Sequence, residues 1–333
     1  KSGVRVMGPN CLGMINLKDG IRAGFGGTLM LKTLRPGNIA MVTQSGGFGF
    51  GVVAIASHYG VGFNYALSTG NEADLTALDW LEYVIEQPEV GKQAATSHTA
   101  RLTAGYELYR TAFRMGGFIE VRDIDDLVDI AKAFRTKKLP KSNRVGVITL
   151  SGGAGVLMAD RCVEAGLTLP PLSDHTAANL KEFVAAFATV ANPVDATPQG
   201  YNDNFASYNR LIGEVLKDPN IDQVIARAPR GPAAKIWSQN FVKMLETTDK
   251  PVYVNWPTSP DDNAEELQYL EANNVPVLIA PGRSASAMAA VTEFGLRYRA
   301  YHAGEMKQSA RVVPQKDAGI PTGKGTLGEH RSK

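Results

Sequence analysis

Residues 38–60 read NIAMVTQSGGFGFGVVAIASHYG. An apolar run ending at Val42 meets a polar, glycine-rich turn at Thr43–Gly47, and a second apolar run closes at Gly60. The first run reads as a buried strand and the second as a helix stopped by glycine. The same construction returns at 144–166 as RVGVITLSGGAGVLMADRCVEAG. Thr43, Ser45, Gly46, Gly47, Gly49 and Gly60 recur as Thr149, Ser151, Gly152, Gly153, Gly155 and Gly166, each pair 106 positions apart. Six identities in one register predict a duplicated functional element, because the helix lengths repeat along with the turns.

Outward from these anchors, short apolar runs alternate with helical patterns. FNYALS (63–68) reads as a strand and LTALDWLEYVIEQ (75–87) as an amphipathic helix. IEVRDIDDLVDIAKAFRT (119–136) predicts a short strand followed by a helix. KKLPKSNR (137–144) is polar and proline-bearing, a domain boundary in composition. Beyond it, IDQVIAR, KPVYVNW and VPVLIA read as strands. AKIWSQNFVKMLETT, NAEELQYLEANN and SASAMAAVTEFGLRYRAY read as the helices between and after them. Strand–helix alternation predicts an α/β fold of two halves in tandem, each a doubly wound parallel sheet covered by helices.

Composition sets the class. The 333 residues are 44% hydrophobic and 20% charged, enough for two ordered cores. A net charge of +2 argues against nucleic acid or an anionic membrane as partner. No apolar run approaches membrane-spanning length. Two cysteines, Cys11 and Cys162, form no metal-ligand spacing and fit a reducing, cytoplasmic setting. The chain starts at Lys1, and its last residues lose hydrophobic patterning until TLGEHRSK, so it is expected to be part of something larger.

A glycine turn between strand and helix presents backbone N–H groups at the positive end of a helix dipole, a setting for phosphate. Ser45, Gly46, Gly47 and Ser151, Gly152, Gly153 are therefore the candidate phosphate-binding residues. The match of Gly49-Phe50-Gly51-Val52-Val53-Ala54 to a dinucleotide fingerprint fails in the second copy, where Met158 stands at the last small position. His98, within AATSHTARLTAG, is a histidine on a small, hydroxylated loop, and its neutral imidazole is nucleophilic. His58 within a helix pattern and His175 after an aspartate read as structural. Glu72 and Asp74 are expected to cap the helix that follows.

SHT followed by a helix resembles the phosphohistidine loop of nucleoside-diphosphate-forming acyl-CoA synthetases, relatives of succinyl-CoA synthetase. VMGPNCLGMIN (6–16) is similar to the end of that family's CoA-binding domain. RPGNIAMVTQSGGFGFG and STGNEADLTALDWLEY resemble its next domain. VGVITLSGGAGVLMADRCVEAGL, NPVDAT and KPVYVNW resemble a later one, and LGEHRSK the first helix of an ATP-grasp domain. The resemblance implies that both halves are flavodoxin-like domains, with limits at 1–34, 35–140, 141–302 and 303–333. It implies reversible synthesis of acyl-CoA from a small carboxylic acid, CoA and ATP, with Mg²⁺ accompanying a nucleotide bound mainly outside this chain. His98 is then the catalytic phosphate carrier between the two turns, and Asn10, Cys11, Leu12 and Gly13 line the thioester end of the CoA site. A homodimer is the implied assembly. The alternative is an inactive acyl-CoA- or nucleotide-sensing module of a protein lysine acetyltransferase. The chain departs from the family at Ala100 and Arg101. It also departs at Val90–Gly91, where a strand, a helix, a further strand and a glutamate partner for the histidine are expected, so a segment omitted between 90 and 91 is the expectation there.

Overall fold

The structure is a computed structural model. It describes residues 4–86, 117–182, 190–196, 205–229, 233–259 and 261–304, with single positions 184, 203 and 231 between them. The expectations for His98, Ala100, Arg101, the 90–91 junction and the last 29 residues lie outside the described residues.

The first sheet has the order β2-β1-β4-β3. Its parallel pair is β3 (Pro36–Thr43) and β4 (Phe63–Ser68), in register Ala40–Tyr65 to Thr43–Ser68, joined by helix α1 (Gly46–His58). β1 (Gly13–Asn16) and β2 (Ile21–Gly24) form a hairpin that extends this sheet antiparallel through β1 and β4. The segment placed at the end of a CoA-binding domain by sequence is thus hydrogen-bonded to the first flavodoxin-like sheet. Helix α2 (Ala77–Glu86) and helix α3 (Ile124–Ala133) complete the described part of this half. The short strand expected at 119–121 does not form. Ile119 and Val121 instead face the same small apolar cavity as Ile39, Met41 and Phe134, where burial takes the place of ladder pairing.

The second sheet is wholly parallel, β6-β5-β7-β8-β9: β5 Val145–Thr149, β6 Val194–Asp195, β7 Gln223–Arg227, β8 Val252–Asn255 and β9 Val277–Leu278. Side chains alternate across it, as strand geometry requires. Val145, Val147, Ile225 and Tyr253 enter one core with Met158, Cys162, Met288 and Val291. Ile148, Val224, Ala226, Val252 and Val254 enter the opposite core with Trp237, Phe241 and Trp256. The helices α4 (Gly152–Glu164) and α9 (Pro281–His302) therefore cover one face. α6 (Ala206–Lys217), α7 (Ala234–Leu245) and α8 (Ala264–Ala272) cover the other, with α5 (Asp174–Lys181) beside α6. A parallel sheet buried on both faces explains why these strands read as continuous apolar runs.

α3 joins the halves. Val128 belongs to the first core, with Ile124, Leu127 and Ala131 against it, while Ala133 belongs to the second, with Ile130 and Phe134. Polar contacts reinforce the junction: Glu271 at the end of α8 lies 3.8 Å from Lys132 Nζ and 3.7 Å from Arg35 Nη1. Arg135 donates to the carbonyls of Gly60 and Glu271. Burial pushes the Lys132 ammonium below its ordinary pKa, against the pull of Glu271 and Asp129.

Candidate active site

The duplicated sequence produces two superposable junctions in hydrogen-bonding detail. In each, a buried threonine closes the strand and its hydroxyl donates to a serine carbonyl: Thr43 Oγ1 to Ser45 O at 3.1 Å, and Thr149 Oγ1 to Ser151 O at 2.9 Å. That carbonyl also accepts the first intrahelical bond, from Gly49 N at 2.9 Å and Gly155 N at 3.0 Å. The N–H groups of Gly46, Gly47, Gly152 and Gly153 precede those bonds and so belong to the helix starts. At the far ends, Gly60 (φ +85°) and Gly166 (φ +83°) adopt the left-handed conformation that lets the chain leave the helix. Ser45 Oγ caps its helix by accepting from Phe48 N at 3.4 Å, whereas Ser151 makes no side-chain cap.

The glycines within each turn have different causes. A Cβ on Gly49 would lie 2.3 Å from Thr43 Cγ2, and one on Gly155 would lie 2.7 Å from Thr149 Cγ2. These are packing glycines, which also accounts for the partial dinucleotide fingerprint. A Cβ on Gly46 would meet Leu12 Cγ at 2.5 Å, and one on Gly152 would meet Asp195 Oδ2 at 3.1 Å. Gly47 and Gly153 are exposed, and a Cβ on either would meet nothing within 4 Å. Packing among the described residues gives no reason for glycine at these two positions. Glycine there leaves the helix-start backbone open to close approach.

The first turn opens into a cleft of about 810 Å³ that brings two predicted sets together: Asn10, Cys11 and Leu12 from one, Ser45, Gly46 and Gly47 from the other. Gly13 is not among the lining residues. Its Cβ would come within 2.2 Å of Ala23 O, so close packing of the β1–β2 hairpin accounts for that glycine. Sequence reading missed Phe25, Gln44, Gly70, Asn71 and Thr76, which also line the cleft. Asn71 stands in the quoted STGN stretch and Gln44 inside the turn itself, but Phe25 carries no local signal.

Glu72 also lines the cleft, and its Oε1 accepts from Ala77 N at 3.2 Å and Thr69 Oγ1 at 2.7 Å, so it caps α2 as expected. Asp74 does not cap; it accepts from Val6 N at 2.7 Å and pairs with Arg5 Nε at 3.0 Å. The hydrogen bond from Arg5 holds its carboxyl below the usual range. Beside Glu72, Thr76 and Asp79 form a reciprocal cap: Thr76 Oγ1 accepts from Asp79 N at 3.3 Å, and Asp79 accepts from Thr76 N at 2.8 Å and Thr76 Oγ1 at 2.7 Å. His58 ends α1, and His175 on α5 lies 3.3 Å from Asn179 Nδ2, both structural settings.

The two cysteines differ in access. Cys11 is half-buried in the cleft, with Sγ 3.7 Å from Met7 O. Cys162 is fully buried, and burial pushes its thiol up to about 12. Brief treatment of the native protein with a thiol reagent, followed by peptide mass mapping, should modify Cys11 and leave Cys162 untouched. Modification of Cys162 at a comparable rate would contradict this packing.

The chain matches the family model described as succinyl-CoA ligase like flavodoxin domain over residues 36–91 and 87–134. It matches the Ligase-CoA domain model over 145–229. It is 29% identical to the alpha subunit of acetate–CoA ligase [ADP-forming] II of Pyrococcus furiosus, over 88% of this chain and 72% of that one. Acetate–CoA ligase [ADP-forming] I of Archaeoglobus fulgidus is also 29% identical over 88% of this chain, which spans 46% of that relative's length. A crystal structure of a Pyrococcus horikoshii protein superposes with a TM-score of 0.75 at 28% identity, covering 88% of this chain and 71% of that one. With both family models matched in order along the chain and relatives aligned over most of its length, the chain belongs to the succinyl-CoA ligase-like family of ADP-forming acyl-CoA synthetases.

Proposed function

We propose that this chain performs the acyl-transfer part of an ADP-forming CoA ligase: carboxylic acid, CoA and ATP give acyl-CoA, ADP and phosphate. The observation that carries the reading is the shared cleft, in which Asn10–Leu12 stand beside the Ser45–Gly47 turn. His98 attacks the γ-phosphorus of ATP; the bond to the β-phosphate oxygen breaks and ADP leaves. The Ser45–Gly47 and Ser151–Gly153 helix starts stabilise the phosphoryl group on His98 with backbone N–H groups and dipoles, without a fixed cationic side chain. A carboxylate oxygen of the acid then attacks phosphorus and the P–N bond breaks. CoA thiolate attacks the acyl carbon and inorganic phosphate leaves. Splitting one hard displacement into three easier ones is the benefit of the covalent carrier.

Among the described residues no cluster of three or more His, Cys, Asp or Glu can hold a metal ion. We read Mg²⁺ as entering with the nucleotide substrate, whose phosphates supply most of its ligands. We read 35–140 and 141–302 as the two catalytic flavodoxin-like units, with the 13–24 hairpin attached to the first. Two free cysteines support a reducing, cytoplasmic setting. Among the described residues no helix is long and apolar enough to cross a membrane. The sensing-module alternative is not favoured, since the named relatives are ligases.

The test uses acid labelled with ¹⁸O in its carboxylate. An acyl phosphate route moves one labelled oxygen into inorganic phosphate. Label appearing in AMP would identify an adenylate route and overturn the proposal.

A further inference from the structure

The two copies of the duplicated element differ at the ends remote from their glycine turns. α4 ends at the exposed Gly166, where a Cβ would meet nothing within 4 Å and the carbonyl accepts from Asn143 Nδ2 at 3.0 Å. α1 ends at the buried Gly60, where a Cβ would lie 2.3 Å from Glu271 Oε2, a carboxylate carried by α8 of the second half. Arg135, in the turn after α3, reaches both: Nη1 donates to Gly60 O at 2.6 Å and Nη2 donates to Glu271 O. These acceptors are carbonyls at the C-terminal ends of two helices, one from each half. One planar guanidinium therefore meets two negative dipole ends at once, which its fork of donors suits and a lysine ammonium does not. Lys132 adds to the grip, with Nζ 5.6 Å from the ring centre of Tyr59, the residue that closes α1.

We propose that Arg135, together with Glu271, is a positioning clasp: it holds α1 against the second half so that the Ser45–Gly47 turn keeps its spacing to the Ser151–Gly153 turn during phosphoryl transfer. This rests on the reading that the two turns share one phosphoryl group. The clasp grips one end of α1 and the turn begins the other, so the helix itself transmits the constraint. α1 has 13 residues. At 1.5 Å per residue it is about 20 Å long, and a tilt of about 3° about the Gly60 end moves the turn by about 1 Å. A misplacement of about 1 Å at a reacting centre costs about a hundredfold in rate.

The experiment uses the full-length protein. For distances, a Cys11→Ser background carries nitroxide labels at Phe48→Cys and Val156→Cys, exposed positions near the starts of α1 and α4, while Cys162 is buried and stays unlabelled. Arg135→Ala is expected to broaden the label-to-label distance distribution read by pulsed electron spin resonance. In the unlabelled protein it should lower kcat at least about tenfold, with the KM for CoA and for the acid within about twofold of wild type. Arg135→Lys should fall between the two. Asn143→Ala, the counterpart change at the end of α4, should leave both readouts at wild type. A wild-type kcat in Arg135→Ala, or a lowered kcat with an unbroadened distribution, would overturn the proposal. Where Arg135→Ala does not fold, Glu271→Gln is measured in the same two ways and decides by the same criteria. If wild type turns over no acid, the ligase reading fails separately; a broadened distribution then still supports the clasp, and an unbroadened one overturns it.

Discussion

Gly47→Ala and Gly153→Ala are expected to leave the fold intact while slowing phosphoryl transfer about a hundredfold each. Gly49→Ala and Gly155→Ala are expected to do the reverse in order of cause, destabilising first and losing activity as a consequence. In each copy the two glycines sit in the same first turn of a helix, yet their surroundings differ. A methyl on Gly47 or Gly153 meets nothing within 4 Å, and alanine in a helix is favoured over glycine by roughly 0.5–1 kcal/mol. Stability should therefore hold or rise. The same methyl would stand where a phosphoryl group must approach the backbone, displacing it from the N–H donors. At Gly49 the methyl lands 2.3 Å from Thr43 Cγ2 and 2.6 Å from Thr43 Cβ, a clash with a buried strand end. Overpacking of this kind costs about 1–3 kcal/mol. Denaturant titration alongside single-turnover phosphoryl transfer separates the two classes. Full activity in Gly47→Ala and Gly153→Ala would remove the proposed phosphate contact.

Much of the fold was legible because the strands of a doubly covered parallel sheet must be apolar throughout. Val145–Thr149, Gln223–Arg227 and Val252–Asn255 follow that rule and were readable at once. The β1–β2 hairpin was not. Its second strand, Ile21–Gly24, is exposed along its whole length, so it carries no hydrophobic alternation to read. Strand β6 is only two residues long, and just before it the Asn192 side chain extends the pairing with β5: Oδ1 accepts from Val147 N at 3.0 Å, and Nδ2 donates to Val145 O at 2.7 Å. A single asparagine standing in for a strand partner has no periodic signature.

The site was legible where it repeats. Two copies of Thr-x-Ser-Gly-Gly-x-Gly gave the helix starts, and the hydrogen bonds of Thr43 and Thr149 give the physical reason for four of the shared residues. The remainder of the cleft is assembled from positions far apart in sequence. Phe25 reaches it through a hairpin crossing governed by the backbone contacts of Gly13 and Gly24, which no local pattern encodes. Asp74 shows the converse limit: its place near a helix start suggested a cap, but Arg5, far off in sequence, takes it instead.

The second large effect is that of His98→Ala, which is expected to abolish turnover, because in the proposed mechanism this residue carries the phosphoryl group through a covalent bond. Removing a positioned catalytic group of this kind costs several orders of magnitude in rate. The most direct measurement incubates full-length wild type and His98→Ala with Mg²⁺ and γ-labelled ATP and quantifies protein-bound label after acid and base treatment. Acid-labile, base-stable label on wild type alone, discharged by a carboxylic acid with CoA, is the predicted result. Equal label on both proteins, or turnover by His98→Ala at the wild-type rate, would contradict the account.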